Sequence, residues 1–286
     1  MTQAGSVPDN GREGKARRKS ELAIRIVSAV ALAALAIGAT IYQPWTFLVL
    51  VMVGSLLVAW EWGRLTRGNG FDGTALVAAV SVAAVAIFVS LDRPGLSLFV
   101  FGAAATVIGV TTFPSGRAGW ALTGLAYAAL PAAALVWLRG DPAWGAAAVL
   151  YLFAVAWTTD TASYAAGRLI GGPKLAPRIS PNKTWSGFIV GALTPALVGY
   201  AFAEALKETS AMKLSLVSVV LALACQMGDL IESAVKRRFG AKDASQMIPG
   251  HGGLLDRIDG LLLAAIVAAL IALRDPASPG RGLLIW

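Results

Sequence analysis

The sequence predicts an all-α, polytopic membrane protein, on three observations. Of 286 residues, 57% are apolar and only 14% are charged, where soluble domains carry about 25% charged residues. Mean hydropathy is +0.68. Apolar runs of about 20 residues, enough to cross a hydrocarbon layer as helix, recur along the chain. A soluble fold would have to hide more apolar surface than one core of this size can cover.

Residues 1–20 are polar and basic (Arg12, Lys15, Arg17, Arg18, Lys19) and are expected to be a disordered cytoplasmic tail. The stretch from Leu22 to Ile41 is too long for a secretory signal core and lacks a cleavage site, so it reads as a retained first span. From there nine apolar segments follow, at about 22–42, 45–62, 74–91, 95–113, 119–138, 143–160, 186–206, 212–235 and 254–273. Turn-forming residues separate them, among them Gln43-Pro44, Arg67-Gly68-Asn69-Gly70, Asp92-Arg93-Pro94-Gly95 and Gly140-Asp141-Pro142. Residues 21–142 form an amino-terminal span region, 143–275 a carboxyl-terminal region that carries the chemistry, and 276–286 a short tail.

Lysine and arginine sort the loops. With the amino terminus inside, alternate loops carry Arg64/Arg67, Arg117, Arg168/Lys174/Arg178/Lys183 and Lys236/Arg237/Arg238/Lys242. The opposite loops hold few bases: none, then Arg93, Arg139, and Lys207/Lys213 offset by Glu204 and Glu208. The positive-inside rule therefore puts the amino terminus and both long polar loops in the cytoplasm, and an odd span number sends the carboxyl terminus outside. The same pattern, with no organellar presequence, suggests a bacterial inner membrane.

One cysteine, Cys225, excludes an intrachain disulfide and a cysteine metal cluster, and the single His251 argues against a histidine-rich metal site. A metal here should be a hard cation on carboxylates, magnesium first. Nothing in the chain points to a nucleic-acid partner.

Three constellations fall on the cytoplasmic side. In Asp160-Thr-Ala-Ser163-Tyr164-Ala-Ala-Gly167-Arg168, helical spacing puts Asp160, Ser163/Tyr164 and Gly167/Arg168 on one face. Such a stripe suits a metal or nucleotide, and equally a polar seam between helices. Ser180-Pro181-Asn182-Lys183-Thr184-Trp185-Ser186-Gly187 leads into a helix start, a good phosphate seat. It lacks the GxxxxGK[ST] pattern of a P-loop, and Ser/Thr capping explains it as simply.

The third constellation, residues 228–260, is the densest ionisable cluster. Asp229, Glu232/Ser233 and Lys236 recur at helical spacing, while Asp256 and Asp259 lie three apart at the start of the last span. Asp229, Asp256 and Asp259 could grip one cation, or two in the arrangement used for in-line phosphoryl chemistry. Lys236, Arg237, Arg238, Lys242 and Arg257 would neutralise phosphates. His251 could donate to a phosphate or only shape its glycine-rich loop. Glu61, between Trp60 and Trp62, could join the cavity, although an interfacial anchor is the simpler reading.

The run from Ser233 through Lys236-Arg237-Arg238, Lys242-Asp243 and Pro249-Gly250-His251-Gly252-Gly253 to Asp256-Arg257-Ile-Asp259 resembles the signature of the phosphatidate cytidylyltransferases, the CDP-diacylglycerol synthases. The Asp160–Arg168 and Ser180–Gly187 stretches resemble family segments in the same order. Similarity is strong over about 155–262; the first half matches only as a series of apolar spans. Asn182 stands where many relatives carry a second lysine, which weakens a two-lysine phosphate clamp and leaves Lys183.

The resemblance implies a magnesium-dependent reaction of CTP with phosphatidic acid, giving CDP-diacylglycerol and pyrophosphate in a homodimeric membrane protein. It maps the metal acids onto Asp229 and Asp256, with Asp259 close behind, and the signature lysine onto Lys236. Substrate contacts are then expected from Asp160, Arg168, Ser180, Asn182, Lys183, Thr184, Ser233, Arg237, Lys242, His251 and Arg257. Two competing readings are a CTP-dependent polyprenol or dolichol kinase, which would release CDP, and an ion-coupled transporter, which would consume no nucleotide.

Overall fold

A computed structural model describes residues 27–248 and 252–286. The basic tail and His251 lie outside the described residues. Each predicted apolar segment is helical over its described part. In order these are α1 (Val27–Tyr42), α2 (Pro44–Arg67), α3 (Gly73–Ser90), α4 (Pro94–Thr112), α5 (Ala118–Arg139) and α6 (Gly145–Leu169). The seventh segment is broken into α7 (Trp185–Leu193) and α8 (Ala196–Leu206), followed by α9 (Ala211–Arg238) and α10 (Leu255–Ala272). The break falls at Pro195, which has no N–H to continue the ladder.

Among the described residues, six stretches are long and apolar enough to cross a membrane: α2, α3, α4 with its following turn, α5, α7 with α8, and α9. Helices α6 and α10 each carry charge toward one end, at Asp160/Arg168 and at Asp256/Arg257/Asp259. One departure from an all-α chain is a small antiparallel hairpin, β1 (Lys174–Ala176) and β2 (Ser180–Thr184), with Lys174 opposite Thr184 and Ala176 opposite Ser180. The Ser180–Thr184 stretch leads into a helix start as expected, in the form of a strand that hands over to α7 at Trp185.

Local chemistry fixes the helix ends. Pro44 and Pro94 open α2 and α4, where a missing N–H costs nothing. Asp72 caps α3 by accepting from the Ala75 N–H at 2.7 Å, and it also receives Arg67 Nε at 2.8 Å and Arg67 Nη2 at 3.1 Å. Burial would raise the Asp72 carboxyl, but the Arg67 and Ala75 bonds outweigh it and hold it below the ordinary value.

The core lies among α5, α6, α9 and α10. Leu138, Tyr151, Leu152, Val155, Leu221, Ala264, Ala265 and Ala268 are fully buried there. Tyr151 brings a hydroxyl into this core and shares a 2.7 Å hydrogen bond with Ser218. Small residues let α9 and α10 cross closely. A Cβ on Gly228 would stand 2.6 Å from the Asp259 carbonyl oxygen, and one on Gly260 would stand 2.9 Å from that of Cys225.

Connecting segments meet one another in two groups. In one, Arg139 Nε donates to the Thr40 carbonyl at 2.7 Å, and the Trp286 N–H reaches Thr209 Oγ1 at 3.0 Å. In the other, Trp62 Nε1 donates to the Trp120 carbonyl at 2.9 Å, and the 174–184 hairpin meets α9. The last residues, expected as a short tail, form a docked helix, α11 (Pro279–Leu284), with Leu283 and Leu284 fully buried. Asp141 holds it, accepting from Ser278 Oγ at 2.5 Å and the Gly280 N–H at 3.0 Å.

Candidate active site

A cavity of about 680 Å³ opens where α6, the hairpin, α7, α9 and the start of α10 meet. It draws in all three constellations. Asp160, Arg168, Asn182, Lys183, Thr184, Asp229, Lys236, Asp256, Arg257 and Asp259 line it, together with Ser163, Tyr164 and Gly167 of the α6 stripe. That stripe is thus a cavity wall as well as a helix seam. Gln226 and Asp243 also contribute; a glutamine inside an apolar span was the available signal for the former.

The Gly228–Gly260 crossing sets the geometry of the acids. Asp229 directly follows one glycine and Asp259 directly precedes the other, so close backbone contact brings both acids to the same wall. Lys183 Nζ pairs with Asp229 Oδ2 at 2.5 Å, tying β2 to α9. Ser233 Oγ lies 3.4 Å from Asp229 Oδ1 and so acts on that acid, one helical turn away.

Lys236 is enclosed by carboxylates. Its Nζ lies 2.6 Å from Glu232 Oε2 and 2.7 Å from Asp256 Oδ1, with the side chains of Glu232 and Asp256 only 1% and 5% exposed. Asp256 also accepts from the Gly253 N–H at 2.8 Å and from the Ala244 N–H at 3.0 Å. Two carboxylates thus surround one ammonium, one from its own helix and one from α10.

Several expected contacts have other duties. Thr184, 4% exposed, caps α7 by accepting from the Gly187 N–H at 3.1 Å, so the capping account of that stretch applies to its hydroxyl. Ser180 pairs in the hairpin. Arg237 donates to the carbonyls of Ile179 and Ala241 at 3.2 and 3.1 Å, clasping the hairpin to the end of α9. Lys242 is exposed, and neither it nor Ser180, Ser233 or Arg237 lines the cavity. Arg168 Nη1 donates to the Tyr164 hydroxyl at 3.2 Å, one turn back on α6. Cys225 is a buried free thiol.

Glu61 corrects its expectation. It is 0% exposed, which rules out an interfacial anchor, and it accepts from Ser245 Oγ at 2.5 Å, Leu254 N–H at 2.9 Å and Leu255 N–H at 2.6 Å. It does not line the cavity; its bonds go to residues 245, 254 and 255, the last two just before Asp256.

Asp229, Asp256 and Asp259 all line one cavity, and carboxylates are the donors a hard divalent cation takes. Among the described residues, no three or more acid, histidine or cysteine side chains form a group placed to hold a metal ion. Magnesium usually takes one or two protein carboxylates and completes its shell with water and substrate phosphates.

A family model described as "Cytidylyltransferase family" matches residues 23–273. A protein named phosphatidate cytidylyltransferase from Brucella suis biovar 1 (strain 1330) is 39% identical over 252 residues, covering 88% of this chain and 93% of its own. Proteins of the same name from Staphylococcus haemolyticus (strain JCSC1435) and Haemophilus influenzae (strain ATCC 51907 / DSM 11121 / KW20 / Rd) are 39% identical over 158 residues and 41% identical over 129. They cover 55% and 43% of this chain, and 60% and 45% of their own. The first-half helices, which the sequence could liken to the family only as apolar spans, fall inside the matched region, and the chain belongs to the cytidylyltransferase family.

Proposed function

We propose that this chain transfers the cytidylyl group of CTP to phosphatidic acid, forming CDP-diacylglycerol and pyrophosphate. The carrying observation is one cavity whose wall combines Lys183–Asp229, Lys236–Asp256 and Asp259, in a chain 39% identical to a phosphatidate cytidylyltransferase over most of its length. Its volume lies within the range of about 300–1,000 Å³ usual for ligand sites.

A phosphatidate oxygen attacks the α-phosphorus of CTP in line. The new P–O bond forms as the bond to the β-phosphate oxygen breaks, and pyrophosphate leaves with the electron pair. Phosphatidate is already an anionic nucleophile at neutral pH, so catalysis reduces to positioning and charge stabilisation. Lys183 and Lys236 are the cations held ready for phosphate, each resting on a carboxylate until substrate arrives. As Lys236 turns to phosphate, Asp256 Oδ1 is released toward the cavity. Asp229, Asp256 and Asp259 are assigned as the magnesium-binding carboxylates. Bound magnesium would neutralise charge on the reacting phosphates. Asp160, Arg168, Asn182 and Arg257 are assigned to substrate on the cavity wall.

Basic loops gather at the cavity end of the bundle, so the positive-inside rule favours a cytoplasmic site with all nine segments crossing and the amino terminus inside. A bacterial inner membrane is the assigned location, and a homodimer the assigned assembly, on the family resemblance. A site at the headgroup level lets soluble CTP meet a lipid that never leaves its leaflet.

The test is purification in detergent with radiolabelled CTP and phosphatidic acid, with and without magnesium. Label in CDP-diacylglycerol with release of pyrophosphate is expected. Release of CDP would replace this reading with a lipid kinase, and vesicle uptake without CTP consumption would replace it with a transporter.

A further inference from the structure

We infer that Glu61, on α2, is a positioning residue for the reaction: it sets where α10 begins, and so where Asp256 and Asp259 stand. This rests on the cytidylyltransferase reading above. The carboxylate is wholly buried, and its recorded donors all come from residues 245–255. A buried carboxylate is costly unless hydrogen-bonded throughout, and here its bonds go to one segment.

The bonds of Glu61 interleave with those of Asp256. Along the chain, the Ala244 N–H goes to Asp256, Ser245 Oγ to Glu61, Gly253 N–H to Asp256, and the Leu254 and Leu255 N–H groups to Glu61. Two carboxylates thus pin both feet of the segment entering α10. Asp256 is one of them, and it also holds Lys236. Glu61 occupies the α10 amino terminus, where free N–H groups and the helix dipole favour a negative charge. Gly253 records how tight the seat is, since a Cβ there would stand 2.5 Å from Glu61 Oε1.

Glu61→Gln keeps the shape but turns an amide NH2 toward N–H donors. At a temperature where the variant stays folded, we expect kcat to fall about 10–100-fold with KM for CTP within about threefold, the size usual for lost outer-layer support. Glu61→Asp, which restores the charge one methylene short, should recover part of kcat. Amide exchange at Leu254 and Leu255 should quicken in Glu61→Gln. If that variant folds poorly, Ser245→Ala, which removes one donor and strands no charge, should still lower kcat at unchanged KM.

Wild-type kcat in Glu61→Gln overturns the inference. So does wild-type kcat in Ser245→Ala when the rate loss of Glu61→Gln merely tracks lost folded protein. A wild-type protein that makes no labelled lipid would instead sink the functional reading. Exchange then decides on Glu61 alone: faster exchange at Leu254 and Leu255 supports the anchor, and unchanged exchange removes it.

Discussion

Gly228 and Gly260 meet across α9 and α10 at a distance that excludes side chains: a Cβ at Gly228 would stand 3.1 Å from Gly260 Cα and 2.6 Å from the Asp259 carbonyl oxygen. Asp229 and Asp259 flank this contact, so the crossing of two apolar helices doubles as the scaffold of the acidic wall. Gly228→Val should force the helices apart. We expect a stability loss of about 1–3 kcal/mol from overpacking. A shift of about 1 Å at the acids would cost about 100-fold in kcat. Turnover and thermal unfolding in detergent measure both.

Lys236 is a structural cation as well as a candidate phosphate ligand. Lys236→Ala abandons Glu232 and Asp256 in buried surroundings, so it should cost about 3–5 kcal/mol as well as activity. Pairing it with Glu232→Gln should recover part of the stability and none of the rate. A double-mutant cycle on melting temperature and kcat separates the two roles.

Magnesium dependence should concentrate on the acids of the wall. Asp259→Asn, which keeps size and removes charge, should lower kcat about 100-fold and raise the magnesium concentration for half-maximal rate. Glu208→Gln, at the far end of the bundle, should change neither. Magnesium titration of labelled CTP incorporation checks this.

Asp141 supplies a pH test away from the cavity. Burial alone would raise its carboxyl, but the bonds from Ser278 and from the N–H groups of Trp144, Ala143 and Arg281 outweigh burial and hold it below 3.8. A carboxyl depressed in the folded state stabilises fully above its unfolded value. That contribution fades as pH falls through 3.8 and on through the lower folded value. Asp141→Asn should cost about 1.5–3 kcal/mol near neutral pH. The gap to wild type should narrow in acid, as read by melting temperature against pH.

The sequence by itself determined the apolar helices, the clustering of basic residues in alternate loops and the ionisable cluster that lines the cavity. Those follow from local composition, from period and from charge counted along the chain, and the motif from Ser233 to Asp259 is nearly contiguous. Tertiary structure decided the rest. Glu61 bonds to residues 184 to 194 positions away, and no local pattern distinguishes a buried clamp from an interfacial acid between two tryptophans. The docked α11 was equally illegible, because Asp141, which holds it, lies 137 positions from Ser278; the hairpin at Lys174–Thr184 pairs locally, and only its seat against α9 comes from a distant segment. Lys236 could be read as a cation near phosphate with Glu232 one turn away, but its second carboxylate, Asp256, emerged only when α9 and α10 crossed, since a charge buried at a helix contact takes the partner that folding brings to it.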